Sequence, residues 1–466
     1  VDAQAGEMPG CTRPVGYVPR QTHECDAAVL VRRHLAEFLE RCEERAGPLP
    51  AFVKAELEGF AGCGDFELGF VRTCCRSCGD ELRVPFSCKS RGCCPSCMGR
   101  RMAEGAALLV DHVLPAVGYR QWVLSFPGPM AVRLGYDAPL LAAIAGRLAR
   151  AVMQDMRRGV KQQHGLASVA SLHAGVVTVV QRFRSDLGLY VHLHCLVTDG
   201  AYEEHSDGEL RFLPAPPPTP ERMTAVLAQV HEVIRAADDD LDLDPALAAC
   251  LQLSLAGPRL APDSPSAPPP MTLSAFGMNL HAATTADGRY RKQLERICRY
   301  LLRPPFAHDA VTALPGGRVR VSFKAPWRSG TAHADMDAHQ FLARLCALVP
   351  PPGFHMTRYY GVLASHHRLR ERVIPRPAAP PPPPQLPLDF TLPDDLRPLP
   401  RPDPGASPGQ SSSPASSRST SPAAVNAAAA CVSSRSSPMP TPSPESSTAP
   451  RAPPAPPPLG QVLLFA

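Results

Sequence analysis

Tyr190–Gly200 reads YVHLHCLVTDG, and its alternation decides the fold around it. Successive side chains of an extended strand point to opposite faces, so His192 and His194 share one face while Val191, Leu193 and Cys195 pack behind them. Two imidazoles held at a fixed separation on an apolar strand make a seat for a divalent cation, because neutral imidazole nitrogen is a common metal ligand. The plainer alternative is a surface-facing pair on a half-buried strand.

Working outward, Ala174–Phe183 (AGVVTVVQRF) is rich in β-branched residues, and the turn SDLG separates it from Leu189–Val197. The two make an antiparallel hairpin whose second strand carries the histidines. Gln121–Phe126 reads as a strand closed by Pro127, and Met278–Thr284, which contains His281, as a further strand neighbouring the histidines. VRVSFKAPW from Val319 reads as a strand, and HMTRYYGVLASHHRLR from His355 as an extended basic segment.

Helical periodicity marks Ala27–Arg45, Phe52–Phe60, Ala106–Val117, Pro139–Arg158, Arg289–Leu302 and Asp337–Leu348. Pro304 and Pro305 stop the fifth of these. After Gly200 an insert at about 202–275 holds a helix near Met223–Ala237, an acidic patch Asp238–Asp244 and Pro-rich loops, and reads as a lid or spacer. The fold class is α+β, an antiparallel sheet with helices.

Of 16 cysteines, eight lie between Cys63 and Cys97, the clustering of a metal domain rather than of a disulfide framework. Cys75-x-x-Cys78 and Cys94-x-x-Cys97 are two knuckles of a zinc ribbon, four thiolates closing a tetrahedron around a structural zinc. The doublets Cys74/Cys75 and Cys93/Cys94 blur the register, but only Cys75 and Cys94 give the x-x spacing. Cys63 and Cys88 are then expected to be buried or spare. Lys89, Arg91, Arg100 and Arg101 flank the knuckles as a basic surface, either a DNA-backbone contact or a solvated face.

A formal net charge of +5 permits a nucleic-acid partner without requiring one. There are 56 prolines, 26 of them after Arg370, so residues 375–466 are expected to form a disordered Pro/Ser-rich tail. No run of eighteen apolar residues occurs, and VDAQAGEMPG has neither the charged nor the apolar region of a secretory leader. A cytoplasmic protein with no membrane partner is expected.

Tyr300 sits near the end of its helix beside Arg299 and Arg303. Alone, a helical tyrosine is a core or interface residue. However, QRF before HLHCLVTDG, the LHA segment, ERICRYLLRPP, VSFKAPWRSGTAH and LVPPPGFHMTRYYGVLASHHRLR together resemble the transposases of the insertion-sequence ninety-one type, within the HUH nucleases. LPAFVKAELEGFAGCG, the Cys knuckles, SCKSRG and GRRM resemble that family's zinc-binding domain. The resemblance covers most of residues 17–375.

It implies a palm-like sheet and metal-dependent nicking and rejoining of single-stranded DNA in rolling-circle transposition. The zinc-binding domain would span 20–112 and the tyrosine nuclease domain 113–374. His192 and His194 match the family's metal pair, Tyr300 its nucleophile, and Cys75, Cys78, Cys94 and Cys97 its zinc ligands. The catalytic ion would be Mg²⁺ or Mn²⁺, with His281 as the expected third ligand and Glu295 behind it. Arg299, Arg303 and Arg358 join Arg91, Arg100 and Arg101 as expected DNA contacts.

Two features depart from the family. Arg296 stands four residues before Tyr300, where two-tyrosine members carry their other nucleophile, so the chain resembles the single-tyrosine branch. The C-terminal stretch has one cysteine, Cys431, where relatives often carry a further Cys pair. The alternatives are a replication initiator or relaxase of the same superfamily, and a zinc-dependent DNA-binding protein without nuclease activity.

Overall fold

A computed structural model describes residues 22–74, 81–237, 243–255, 270–327 and 330–376. The expected tail, most of the acidic patch, and Cys75 and Cys78 lie outside them. By contacts, 12–72 and 82–413 form one unit, which holds every site discussed below. A second unit, 1–11, 73–81 and 414–466, falls almost wholly outside the described residues.

The chain opens with helices α1 (Asp26–Ala46) and α2 (Ala51–Ala61), a ladder of β1 (Phe70–Cys74) and β2 (Glu81–Pro85), and α3 (Pro95–His112). Helix α3 begins eleven residues earlier than the sequence expectation because Pro95 is pre-set for a first turn and the Cys94 sulfur accepts the Cys97 N–H. Then come β3 (Gly118–Ser125), α4 (Gly128–Arg133), α5 (Ala138–His164), β4 (Leu172–His173), β5 (Gly175–Phe183) and β6 (Leu189–Thr198). The expected hairpin is present, and its register sets Val180 opposite Leu193 and Gln181 opposite His192.

The insert is not a spacer. It supplies β7 (Gly200–Glu204), β8 (Leu210–Pro214), α6 (Pro220–Arg235), α7 (Pro245–Leu255) and β9 (Thr272–Ala275). Met223, Val226, Leu227 and Val230 recur at helical spacing and bury α6 in the core shared with α5, where Arg222 pairs with Asp155 at 2.7 Å. The strand expected over Met278–Thr284 ends early, as β10 (Met278–His281), and a separate short strand β11 (Thr285–Asp287) follows it. The remainder is α8 (Arg291–Leu301), β12 (Val311–Leu314), β13 (Arg318–Ser322), β14 (His333–Asp337), α9 (Ala338–Leu348), β15 (Thr357–Gly361) and α10 (Arg370–Val373).

The main sheet runs β15-β5-β6-β3-β10-β9 with β11 also on β3, and its ladders are antiparallel. Residues paired across a ladder share a face, so the alternation of β6 propagates through the sheet. One face, with Trp122, Val180, Leu193 and Cys195, packs on α5. The other, with Val177, Val179 and Leu196, packs on Leu109 and Val110 of α3 and on Leu294, Cys298 and Leu301 of α8. His192 and His194 belong to this second face. Strands β12, β13 and β14 form a separate small sheet whose apolar side joins α1 and α9. Among the described residues no helix is long and apolar enough to cross a membrane.

Candidate active site and metal centre

The His192 and His194 rings lie 4.9 Å apart on β6, and the Tyr300 ring meets His194 edge-on at 5.8 Å. Helix α8 explains the exposure of that tyrosine. Leu294, Cys298 and Leu301 form its buried stripe, and Tyr300, a quarter-turn or more off it, is 43% exposed. The guanidinium of Arg303 lies 4.9 Å from the Tyr300 ring and 5.3 Å from Phe183, and Lys324 Nζ lies 5.9 Å from Tyr300.

Each imidazole is oriented by its Nδ1. His192 Nδ1 lies 3.2 Å from the Tyr190 carbonyl, to which its N–H donates, and His194 Nδ1 lies 2.8 Å from the Gln121 side-chain amide; with the amide oxygen turned to the ring, Nδ1–H donates to it and Nε2 keeps its lone pair. His194 Nε2 is buried with no hydrogen-bond partner. Burial pushes His192 down to about 4 and His194 to about 3, and the Arg303 guanidinium adds to both shifts. The pair is therefore neutral at ordinary pH, the form in which imidazole binds metal.

Gln181 stands across the ladder from His192 and has a second task. In a helix the Tyr300 and Leu301 carbonyls would accept from the N–H groups of residues 304 and 305, but both are proline and have none. Gln181 Nε2 donates to both carbonyls instead, at 2.9 and 2.8 Å. Two acceptors fix which end of the amide faces the helix. Gln181 Oε1 is left buried and without a hydrogen-bond partner.

The structure does not bring His281 to the pair. It shares their face, opposite Val123, but β3 intervenes, so it stands two inter-strand spacings, about 10 Å, from β6. Its Nδ1 lies 2.8 Å from Thr272 Oγ1. Glu295 pairs with Arg299 at 2.8 Å on the surface of α8. Among the described residues no third His, Cys, Asp or Glu joins His192 and His194.

The expected DNA-contacting arginines are dispersed. Arg303 is at the tyrosine, Arg100 pairs with Glu104 at 2.7 Å, and Arg101 donates to the Lys89 carbonyl at 2.8 Å. The Arg91 backbone N–H is held by Glu56 at 2.9 Å. Arg358 pairs in register with Thr178, on the α5 side of the sheet, away from Tyr300.

Among the described residues the zinc-domain thiols that converge are Cys63, Cys88, Cys94 and Cys97, with ligand atoms all within 4.8 Å of one another. Cys63–Cys97, Cys88–Cys97 and Cys63–Cys94 sulfur separations are 3.7, 3.5 and 3.6 Å. A zinc tetrahedron with bonds of about 2.3 Å has edges of about 3.8 Å, so the set fits that ion. This corrects the reading of Cys63 and Cys88 as spare. They had no x-x partner to betray them, and only the fold returns them to Cys94 and Cys97. Ser90 Oγ, itself donating to Glu56, knits the adjoining turn by accepting the N–H groups of Gly92, Cys93 and Cys94 at 3.1–3.3 Å.

The zinc cluster and the tyrosine are linked by α3. Its first turn carries Cys97, and farther along a Cβ placed on Gly105 would come within 3.0 Å of Leu302, just past the end of α8. Arg291 at the start of α8 donates to the Leu114 carbonyl at 3.1 Å.

Two family models match the chain. One, "Transposase zinc-binding domain", covers residues 30–126, and the other, "Putative transposase", covers residues 175–371. No curated protein and no solved structure matches.

Proposed function

We infer, from the premise that the chain belongs to the transposases of the insertion-sequence ninety-one type, that Tyr300 cuts and rejoins single-stranded DNA beside a cation held by His192, His194 and Gln181. The observation that supports this is that two buried atoms without a hydrogen-bond partner, His194 Nε2 and Gln181 Oε1, belong to residues on the same face of the sheet, the face against which the Tyr300 ring meets His194. Leaving such atoms unpaired costs about 1–3 kcal/mol each, which a bound cation would offset. The mixed nitrogen and oxygen set suits Mn²⁺ and admits Mg²⁺ with water completing the shell.

The ion would act as a Lewis acid on the scissile phosphate. The chain's own groups do the rest. Gln181 fixes the backbone of Tyr300 and Leu301 against β5, so the phenol is held rather than searched for. Tyr300 Oη forms a bond to phosphorus as the bond to the 3′ oxygen breaks. The phenolic proton passes to solvent, and the departing 3′ oxygen takes one from solvent. The product is a 5′-phosphotyrosine that keeps the energy of the phosphodiester, so a 3′-OH can reverse the step without ATP.

Incubating the purified chain with a labelled single strand carrying the element's end and Mn²⁺ should give a covalent adduct that peptide mapping places on Tyr300. EDTA and Tyr300→Phe should abolish it. DNA binding with no adduct on any tyrosine would sink this reading and leave a binding protein.

A further inference from the structure

The loop from Phe323 to Ala332 joins β13 to β14, and its near end lies over the tyrosine. Lys324 is exposed, and its ammonium is 5.9 Å from the Tyr300 ring. One residue before it, Phe323 stacks on Trp327 with centroids 5.6 Å apart and planes inclined by 24°. Neither ring belongs to the apolar clusters of the core. Trp327 is strapped down twice. Its indole N–H donates to Ser185 Oγ in the β5–β6 turn at 2.9 Å, and its backbone N–H to the Thr331 carbonyl at 2.8 Å. The Phe323 N–H donates to the Ala332 carbonyl at 2.8 Å.

A half-exposed aromatic pair fixed in place by hydrogen bonds, with a cation between the two residues in sequence and a nucleophile beside that cation, has no role in the core. It has the makeup of a single-strand platform, in which bases stack on rings and a cation tracks the backbone. We propose that Phe323, Lys324 and Trp327 form the substrate clamp of Tyr300. Lys324 takes a phosphate oxygen at or next to the scissile position, and the neighbouring base stacks on the Phe323–Trp327 pair. The stack is indifferent to base identity because every base has a π-face, so the clamp holds strand rather than sequence. The hydrogen bond from Trp327 to Ser185 ties this platform to the hairpin that bears His192 and His194, so a stacked base and the histidines keep one frame.

This rests on the single-strand nuclease reading of the site, and it can be tested apart from it. The chain has two tryptophans, and the other, Trp122, is fully buried. A loss of tryptophan emission on base stacking therefore reports on Trp327, since Trp122 is out of reach of a base. In the Tyr300→Phe chain, which cannot be captured covalently, titration with a thymidine oligonucleotide of about 16 nucleotides should quench emission in step with binding followed by anisotropy of a labelled copy. Trp327→Phe should remove the quench and keep most of the affinity. Trp327→Ala should weaken binding about 5- to 150-fold. Lys324→Gln should lower the slope of log affinity against log salt by about 0.7, the share of one phosphate on a single strand, and Lys324→Arg should restore it. Binding without quenching, or unchanged affinity and salt slope in Trp327→Ala and Lys324→Gln, would overturn the clamp. If the native chain still forms its Tyr300 adduct in that case, the nuclease reading stands without it. No binding to any single strand together with no adduct would overturn both.

Discussion

Gln181 illustrates how much one side chain can carry. Its nitrogen replaces two N–H groups that Pro304 and Pro305 cannot supply, and its oxygen is left buried without a hydrogen-bond partner. Gln181→Ala should therefore do two separable things. It should lower unfolding stability in urea by about 1–3 kcal/mol, because two helix-end carbonyls lose their donor, and it should cut adduct formation more than the stability loss explains. Adduct yield that merely follows the folded fraction would remove Gln181 from the cation seat. Gln181→Glu makes a sharper comparison, since it keeps an oxygen for the cation but sets a carboxylate against two carbonyls. At this scale the His192/His194 face could be read from alternation alone, whereas the role of Tyr300 came from a resemblance and not from its spacing. His281 shows why parity misleads: alternation says which face a residue takes but not how many strands lie between two residues on it. Gln181 lies within the same hairpin, but nothing in its local sequence marks an amide that meets a helix end more than 100 residues away.

Helix α3 is the element on which the two halves of the chemistry depend. Its N-terminal turn is bound into the Cys63, Cys88, Cys94 and Cys97 set, and its later turns pack on the helix that presents Tyr300. The purified chain should hold zinc, and Cys63→Ser or Cys88→Ser should lose it, as measured by atomic absorption. Full zinc content in both would show that the ion sits elsewhere. Loss of the ion should also lower adduct yield although no cysteine touches the tyrosine, because a frayed α3 leaves α8 without its support. Helix α6 gives a second expectation. Leu227 is fully buried in the core shared with α5, so Leu227→Ala should cost about 2–5 kcal/mol in thermal or urea unfolding. A truly detachable insert would show almost none. The helical stripe of α6 was readable in the sequence. Its Pro-rich flanks suggested a spacer because composition reports what a segment lacks in propensity, not what an amphipathic face within it can bury.

For the whole molecule, the α+β class and the central hairpin were legible because β-branched runs and turn residues are local signals. The strand order was not, because β15 pairs with β5 across more than 170 residues of sequence, and no local pattern names a partner at that range. The last described stretch, near residues 368–376, is secured to the insert by Arg368, which grips the Glu204 carboxylate bidentately, with His173 at 3.4 Å. That guanidinium holds the Glu204 carboxyl down to about 2. A depressed carboxyl stabilises above its ordinary range and loses that contribution as pH falls through the folded value. Limited proteolysis near residues 368–376 should thus be no faster at about pH 5.5 than at neutrality, whereas Arg368→Ala should speed it at both. Cleavage that accelerates in the native chain between those two conditions would show the pair is not what secures this end. The tether from Gln181 to the carbonyls of Tyr300 and Leu301 also bears on choreography. Were Tyr300 the nucleophile proposed above, a backbone lashed to the strand beside the histidines would not ferry its cargo to a distant acceptor. The linked strand would stay docked, and the incoming end would make the journey.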